Sequence, residues 1–166
     1  MEDSEGTIWL GTTEHGLYRR DKKTDNYVNF QHNPANPQSI SSNTVYFVFE
    51  DSKKRIWVGT NEGLNLYDKT TSSFSHYSDT PNSPKGLICS IYEDSNGILW
   101  LSVFGRGLFL FDPEKNFFWH YNHDPQDEKS LKSNMVSQVF EDNEGAIWVV
   151  ARYVHQVIRN GEKREG

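Results

Sequence analysis

Apolar and polar residues alternate along this chain in short segments, and the apolar positions show no helical spacing. Residues 45–49 (VYFVF) are mostly apolar, 56–58 (IWV) follow a short polar turn, and 64–67 (LNLY) and 74–77 (FSHY) alternate with a period of two. A short apolar run predicts a strand covered on both faces, and alternation predicts a half-buried strand. We label these strands a, b, c and d in chain order. Polarity rises from a to d, which predicts that a is the inner and d the outer strand of a propeller blade.

The whole four-strand pattern recurs at a nearly constant interval. Tryptophans lie 48, 43 and 48 residues apart, and a Glu-Asp pair precedes each of them at a fixed spacing; these tryptophans are Trp9, Trp57, Trp100 and Trp148. A period in this range is typical of propeller blades and solenoid units, and the lack of helical spacing disfavours a helical solenoid. We predict that each Trp packs as a wedge between neighbouring blades.

Counting strands along the chain gives b, c and d of one blade, two complete blades, and a, b and c of a fourth. The sequence therefore predicts an all-β fold, a β-propeller fragment of about 3.5 four-stranded antiparallel blades, half of a seven- or eight-bladed propeller. The partial propeller spans 1–166, with blade units over approximately 1–43, 44–86, 87–134 and 135–161. An open fragment is expected to expose an apolar sheet face at each end. The expected partners are therefore the remaining blades of a parent propeller or a second copy, as a homodimer.

The Glu-Asp pairs open the predicted turns between strands a and b. Asp at the first turn position can accept hydrogen bonds from backbone amides, and Gly at the fourth position, as in Gly6, tolerates a positive φ. The second blade has Lys54 at that position, which predicts strain or another turn type. A calcium or catalytic role is disfavoured, because one carboxyl pair lacks the oxygens that calcium needs and pairs in separate blades are too distant for a glycosidase site.

Composition excludes several classes of function. The net charge is −6 and basic residues occur only in short groups with acids nearby, which disfavours a nucleic-acid surface. No apolar run approaches the roughly 20 residues of a membrane helix, so we expect no direct membrane insertion by this segment. The first six residues are acidic and show no secretory signal. The single cysteine, Cys89, lies in an apolar run and is predicted to be a buried structural thiol.

We predict no metal site, no cofactor and no catalytic residues. Repeat-equivalent histidines in different blades need not converge, and the chain contains no zinc-type, phosphate-loop or nucleophile-elbow motif. Binding is expected where the b-to-c loops and the d-to-a connections emerge on one face. The third and fourth b-to-c loops depart from the repeat and offer the candidate ligand-binding residues Phe104, Arg106, Arg152 and Tyr153, whose aromatic rings can stack on sugars and whose guanidinium groups can bind carboxylate or sulfate.

The repeated stretches resemble the two-component regulator propeller repeat. They are "EDSEGTIWLGTTEHGL", "EDSKKRIWVGTNEGLNLYD", "EDSNGILWLSVFGRGLFLFD" and "EDNEGAIWVVARYVHQVI". Proteins with such repeats are typically hybrid sensor histidine kinases of gut-type bacteria, with two seven-bladed propellers and a β-sandwich in the periplasm. The resemblance implies a periplasmic location and a role in sensing glycan breakdown products.

The expected function is thus ligand sensing without catalysis, with a glycan or oligosaccharide as ligand, in a two-component signalling protein. One alternative is a protein–protein interaction propeller, although the WD-type signatures are absent. Another is a sialidase- or lyase-like enzyme. Its Asp box would need Asp two residues before the turn Gly, where this chain has Ser4, Ser95 and Asn143.

Overall fold

The computed structural model describes residues 1–77, 82–151 and 154–158. All regular structure in these residues is β, with no helix. The strands are β1 (Trp9–Gly11), β2 (Leu17–Arg20), β3 (Tyr27–Phe30), β4 (Val45–Glu50), β5 (Ile56–Thr60), β6 (Gly63–Asp68), β7 (Ser73–His76), β8 (Ile88–Glu93), β9 (Leu99–Val103), β10 (Gly107–Asp112), β11 (Phe117–Tyr121), β12 (Val136–Glu141), β13 (Ile147–Ala151) and β14 (Val154–Ile158).

The strands form four antiparallel meanders in chain order. Two sheets have four strands, β4-β5-β6-β7 and β8-β9-β10-β11, and two have three, β1-β2-β3 and β12-β13-β14. Both complete sheets start with strand a at one edge and end with strand d at the other. The predicted all-β class and the count of about 3.5 blades are therefore confirmed.

Burial within a blade differs from the pattern that the sequence predicted. The b strand β5 is buried at every position, whereas in the a strand β4 only Val45 is buried and Tyr46 is 51% exposed. The reason is that β4 is a sheet edge, so its second flank carries no further strand, while β5 is flanked by β4 and β6. The apolar character of strand a thus exceeds its burial.

The chain divides into two compact units. Unit 1 comprises Met1–Thr80 and Pro84–Ile88, and unit 2 comprises Pro81–Ser83 and Cys89–Gly166. Each unit has its own apolar core between two sheets. In unit 1 the core joins β1–β3 to β4–β7, and in unit 2 it joins β8–β11 to β12–β14. Each core thus lies between neighbouring blades, as expected for sheets that are apolar on both faces.

The repeated Trp of strand b is the wedge of these cores. The Trp9 ring meets the Tyr67 ring of the next sheet edge to face, with centroids 5.0 Å apart. Trp100 lies in the unit 2 core beside Val139 and Val149 of the following sheet. The predicted packing role is confirmed at these two positions. Trp148 differs, because its side chain is 37% exposed.

Close approach of neighbouring sheets explains a repeated Gly of strand b. A Cβ atom on Gly11 would lie 2.7 Å from Val45 Cγ1 and 2.9 Å from the Val45 carbonyl oxygen. Such distances are inside van der Waals contact, so a side chain there would push the first two sheets of unit 1 apart. Gly11 is therefore required because the neighbouring sheet leaves no space for a Cβ atom, and not because the backbone has a positive φ there.

Candidate functional site

Each a-to-b turn is fixed by one aspartate that bonds the tryptophan of strand b. The indole Nε1–H of Trp donates to the Oδ2 atom of Asp at 2.9 Å for Trp9 and Asp3 and at 2.9 Å for Trp100 and Asp94. The same bond is 2.8 Å long in the second sheet and 2.7 Å in the fourth. A buried indole N–H needs an acceptor, and the aspartate supplies it.

The second carboxylate oxygen of the same aspartate holds the turn backbone. In the first turn, Asp3 Oδ1 accepts from the backbone N–H of Glu5 at 3.0 Å and of Thr7 at 2.7 Å. Burial alone would raise the pKa of Asp3, but the bonds from Trp9, Thr7 and Glu5 hold that pKa below its usual value. The predicted role of Asp in accepting backbone amide bonds is therefore confirmed here.

The turn of the second blade keeps its geometry despite Lys54. The Lys54 N–H donates to the Asp51 carbonyl oxygen at 2.9 Å, just as the Gly6 N–H donates to the Asp3 carbonyl oxygen at 2.8 Å. Lys54 adopts a φ of 65°, in the left-handed region that disfavours residues with a Cβ atom. The prediction of strain is confirmed, and the turn type is unchanged.

In both units a glutamate of a Glu-Asp pair holds the turn of the preceding blade. Within unit 1, the Glu50 carboxylate accepts from the Ser4 backbone N–H at 2.6 Å and from the Ser4 hydroxyl at 2.8 Å. Within unit 2, Glu141 accepts from the same two groups of Ser95 at 2.6 and 2.8 Å. We call this pair of bonds the glutamate clamp. The glutamate of the pair thus also has a structural role, which the sequence alone did not reveal.

The histidines of the long d-to-a connections also hold the backbone. His32 Nδ1 lies 2.9 Å from the Ile40 carbonyl oxygen, and its backbone N–H donates to Asn43 Oδ1 at 2.7 Å. In the equivalent connection His123 makes the same contacts with Leu131 and Asn134 at 2.6 Å each. A ring nitrogen that faces a carbonyl oxygen carries the proton, so Nδ1 is the donor in both rings.

A polar cleft opens at the loop end of unit 1. Its volume is about 650 Å³, which lies within the range of small-molecule sites. Two d-to-a connections and the second b-to-c loop meet there, so these segments do lie on one face, as the sequence predicted. The lining residues are His32, Ser41, Ser42, Asn43, Glu62, His76 and Lys85. We call it the loop-end cleft.

The scaffold around the loop-end cleft is held by hydrogen bonds of its own. The Ser41 backbone N–H donates to Asn65 Oδ1 at 3.0 Å, and Asn65 Nδ2 donates to the Ser41 hydroxyl at 2.8 Å. The Thr60 hydroxyl lies 2.9 Å from that of Ser41. His76 Nε2 lies 2.7 Å from the Ser39 carbonyl oxygen. These contacts orient the connection before any ligand arrives, which reduces the entropy cost of binding.

The cleft combines hydrogen-bond donors and acceptors of several kinds. Glu62 contributes a carboxylate, Lys85 an ammonium group and Ser42 a hydroxyl. In addition, because Nδ1–H of His32 donates to the Ile40 carbonyl oxygen, the other ring nitrogen, Nε2, is the acceptor. An arrangement of this kind suits a hydroxyl-rich ligand, whose groups both donate and accept. Sequence reasoning missed Glu62 and Lys85, because Lys85 lies at the end of a connection and approaches the cleft only through the fold.

The sequence-predicted residues Phe104 and Arg106 lie on the three-residue loop between β9 and β10, in unit 2. The Phe104 side chain is 57% exposed. The Arg106 guanidinium lies over the Phe109 ring, 5.6 Å from its centroid, and the His120 imidazole stacks on that ring at 4.0 Å. His120 Nε2 also lies 2.7 Å from the Arg106 carbonyl oxygen. The structure therefore brings an exposed aromatic ring and an oriented cation onto one hairpin.

Two predicted site residues, the single thiol and the possible metal ligands remain to be described. Arg152 and Tyr153 lie outside the described residues. Burial raises the pKa of the half-buried Cys89 thiol, which makes it a poor nucleophile, although it is less enclosed than the sequence predicted. Among the described residues, no group of three or more His, Cys, Asp or Glu side chains is placed to hold a metal ion. Nor does that part of the chain contain a helix long and apolar enough to cross a membrane.

The repeat is similar to a known family of repeats. Residues 39–62 and 82–105 match the family described as two component regulator propeller. Over 154 residues the chain is 30% identical to histidine kinase P4 of Formosa agariphila. The aligned region covers 89% of this chain and 11% of that protein. The chain thus spans about a tenth of the length of this curated relative.

Solved structures support the propeller fold. The extracellular domain assigned to a hybrid two component system of B. thetaiotaomicron superposes with a TM-score of 0.79 and 24% sequence identity. The superposed region covers 93% of this chain and 21% of the B. thetaiotaomicron chain. Virginiamycin B lyase of Staphylococcus aureus superposes with a TM-score of 0.67 and 13% sequence identity. The superposed region covers 98% of this chain and 55% of the lyase chain. At these identities both similarities concern the fold alone.

Proposed function

Because this chain is built of two-component regulator propeller repeats, we propose that it is a ligand-sensing segment of a two-component signalling protein. The segment binds a glycan or oligosaccharide and catalyses no reaction. Binding favours one arrangement of the propeller assembly and so changes the output of the kinase to which the segment belongs. The similarity to histidine kinase P4 supports the signalling context.

The loop-end cleft of unit 1 is the observation that carries this proposal. Its carboxylate, ammonium, imidazole and hydroxyl groups line one open volume of about 650 Å³, large enough for a short oligosaccharide. Sugar hydroxyls require paired donors and acceptors, which Glu62, Lys85 and Ser42 provide. The backbone contacts of the two connections support these side chains, so the site is formed before binding.

We place the segment outside the cytoplasm, in the periplasm. The similar solved structure from B. thetaiotaomicron is an extracellular domain, which supports this location. The cysteine content is compatible with this location, because the chain has one cysteine and so cannot form an internal disulfide.

Binding without catalysis is supported by the roles of the repeated carboxylates. Asp3 and Asp94 each bond a tryptophan and their own turn, and Glu50 and Glu141 bond the serine of a preceding turn. These carboxylates hold the a-to-b turns, which lie at the end of each blade opposite the b-to-c loops. The fold similarity to virginiamycin B lyase places no catalytic residue in this chain, since only 13% of the residues are identical.

A protein-interaction scaffold is the second candidate function, and the β9–β10 hairpin favours it. Exposed aromatic rings and arginines are enriched at protein interfaces, and Phe104 and Arg106 present both on a three-residue loop. A protein partner would bind this hairpin, whereas an oligosaccharide would bind the loop-end cleft. The two candidates therefore make different predictions for the same variants.

Calorimetric titration with a panel of neutral and sulfated oligosaccharides tests the proposal. We expect at least one sugar to bind, and we expect Glu62→Gln to weaken its binding about tenfold, as the loss of one charge-assisted hydrogen bond implies. Glu14→Gln, in the first b-to-c loop and outside the cleft lining, is the matched control and should bind normally.

The Phe104→Ala variant separates the two candidates. Unchanged sugar binding by Phe104→Ala together with weakened binding by Glu62→Gln supports the cleft. Loss of sugar binding in Phe104→Ala alone would move the site to the hairpin. Release of reducing ends from the panel by the unmodified chain would contradict binding without catalysis, and failure of the whole panel to bind would contradict the assignment of a glycan ligand.

A further inference from the structure

The Ser41 hydroxyl at the loop-end cleft belongs to a chain of hydrogen bonds that runs in one direction. The Thr60 hydroxyl lies 3.0 Å from the Gly63 carbonyl oxygen. A carbonyl oxygen has no proton, so Thr60 donates its single hydroxyl proton to Gly63. The Ser41 hydroxyl lies 2.9 Å from the Thr60 hydroxyl, which has no second proton to give. Ser41 is therefore the donor in that contact.

Asn65 fixes the other side of the Ser41 hydroxyl. The Ser41 backbone N–H, which can only donate, lies 3.0 Å from Asn65 Oδ1, and this contact sets the orientation of the amide. Asn65 Nδ2 then donates to Ser41 Oγ at 2.8 Å. Asn65 and Thr60 are fully buried, so water does not compete for these bonds. With its proton committed to Thr60, the Ser41 hydroxyl offers a ligand only an acceptor.

Two imidazole rings of the cleft are held as acceptors in the same way. His32 Nδ1 lies 2.9 Å from the Ile40 carbonyl oxygen. His76 Nε2 lies 2.7 Å from the Ser39 carbonyl oxygen. Each of these nitrogens carries the proton, so in a neutral ring the other nitrogen can only accept. We call the three resulting atoms, Ser41 Oγ, His32 Nε2 and His76 Nδ1, the acceptor set.

The buried polar pair under Ser41 is not needed to build a blade. In the third blade, the positions of Thr60 and Asn65 carry Val103 and Phe109, which are buried and apolar. That blade forms the same four strands. Burial of a polar side chain is costly unless it is fully hydrogen-bonded, so an apolar pair is the simpler solution for the fold alone.

The polar pair is not needed to fold the long connection either. In the equivalent connection of unit 2, Lys132 and Ala151 stand where unit 1 has Ser41 and Thr60. His123 nevertheless makes the same backbone contacts there as its counterpart in unit 1. The network around Ser41 therefore contributes something to unit 1 beyond its fold, and the cleft is the feature that it adjoins.

We infer that the acceptor set makes the loop-end cleft select a neutral sugar with free hydroxyl groups over the sulfated form of the same sugar; this inference rests on the proposed function. A ligand atom that contacts the acceptor set must bring a proton. A sugar hydroxyl has one, whereas an ionised sulfate oxygen only accepts. The charges of Glu62 and Lys85 offset each other in the lining, so the supply of protons decides the preference.

The same sugar also satisfies the donors of the cleft. A hydroxyl group both donates and accepts, so its oxygen can accept from Ser42 or Lys85 while its proton goes to the acceptor set. Thr60 and Asn65 lie beneath Ser41 and act only through it. They are positioning residues, because they determine which way the Ser41 proton points.

Matched pairs of sugars test the preference. Maltotetraose, cellotetraose and xylotetraose, each unmodified and chemically O-sulfated, are titrated by calorimetry. We expect the neutral form of a sugar that binds to bind at least about tenfold more tightly than its sulfated form, as the loss of one matched hydrogen bond implies. Equal or tighter binding of the sulfated form overturns this inference and leaves the proposed function standing. Failure of every sugar in both forms overturns the two together.

The Thr60→Val variant tests the direction of the bonds. Valine has the shape of threonine, and Val103 is buried at the equivalent position of the third blade, so the variant should fold. Without the Thr60 oxygen, the Ser41 proton can reach the ligand, and the preference for the neutral form should fall about tenfold. Equal weakening of both forms would indicate a merely structural role and would overturn the assignment of Thr60 as a positioning residue.

Ser102→Ala is the matched control for this variant. It removes a buried hydroxyl in unit 2 that accepts from the Ser90 hydroxyl at 3.1 Å. We expect it to lower the melting temperature as Thr60→Val does, without changing the preference between the two forms of the sugar. A change of preference in Ser102→Ala would show that stability, and not the Ser41 proton, controls selection.

Nitrogen-15 spectra of the histidine rings test the acceptor set without any ligand. At pH 8 we expect His32 to carry its proton on Nδ1 and His76 to carry its proton on Nε2, as their carbonyl partners require. The opposite tautomer in either ring would place a donor where the inference needs an acceptor, and would overturn it.

Discussion

At the turn end of the blades the same bonds recur, whereas at the loop end the three described connections between strands b and c all differ. The bond from Trp to Asp varies only between 2.7 and 2.9 Å among the four sheets. The glutamate clamp has equal lengths in both units. By contrast, the connections 12–16, 61–62 and 104–106 differ in length and in side chains.

Under the proposed function, this difference separates structural support from ligand recognition. At the turn end, each described Asp–Trp bond holds a blade's own turn, and the glutamate clamp joins neighbouring blades within each unit. The loop end is free to vary because the strands below it are already fixed, and the polar loop-end cleft lies there. A residue at the turn end should therefore affect stability, and a residue at the loop end should affect binding.

The largest predicted loss of stability follows from removing an aspartate that bonds a buried tryptophan. Asp94→Ala leaves the Trp100 indole N–H and the Ile98 backbone N–H without this acceptor, and we expect a loss of about 3 kcal/mol in the free energy of unfolding. Asp142→Ala is the matched control. Water can reach the Trp148 indole, so its loss should be about 1 kcal/mol. Urea denaturation measures both, and equal losses would contradict this account.

A smaller loss is expected from crowding between sheets. In Gly11→Ala, the new Cβ atom would meet Val45 at 2.7 Å, and we expect about 2 kcal/mol of destabilisation in thermal or urea unfolding. Gly105→Ala meets no atom within 4 Å but has a φ of 70°, so it reports the backbone cost alone, about 1 kcal/mol. If Gly105→Ala were the more harmful change, sheet spacing would not be the reason for Gly11.

The glutamate clamp should contribute about equally in both units. Glu50→Gln and Glu141→Gln each replace a charged acceptor by a neutral amide, and we expect each to lower the free energy of unfolding by about 1 kcal/mol. The bonds are exposed, so solvent limits the effect. Chemical denaturation of the two variants side by side checks the equality. A clear effect in only one of them would show that the repeated geometry is not energetically equivalent.

The smallest predicted effect is a gain in stability from repairing one turn. Lys54→Gly relieves a left-handed φ of 65°, and should raise the free energy of unfolding by about 0.5–1 kcal/mol after the entropy cost of Gly. Gly97→Lys makes the reverse exchange at the equivalent position, whose φ is 77°, and should destabilise by a similar amount. Melting temperatures that move in the same direction for both variants would contradict the comparison.

The turn end explains why so much of the fold could be predicted from sequence. The spacing of Trp, Asp and Gly is local, so it identified the strands, the turns and the strained Lys54. The glutamate clamp could not be found in the same way, because Glu50 and Ser4 lie 46 residues apart and belong to different blades. Their repetition as Glu141 and Ser95 was present in the sequence, but nothing local indicated that the two partners meet.

The candidate site was predicted less completely for the same physical reason. Sequence departures from the repeat selected Phe104 and Arg106, which do lie together on one hairpin. They could not select Glu62 and Lys85, since neither residue is unusual in its own segment. The fold brings these two side chains to one cleft, and a binding site formed by connections depends on such long-range proximity.

Nuclear magnetic resonance titration tests the separation of the two ends most directly. The uniformly labelled chain would be titrated with the panel of neutral and sulfated oligosaccharides, and backbone amide shifts would be followed. We predict that the largest shifts occur around Ser42, Glu62 and Lys85 and that the turn amides of Ser4 and Ser95 stay unchanged. Shifts centred on the turn amides, or no shifts with any sugar, would contradict the assignment of structure to one end and recognition to the other.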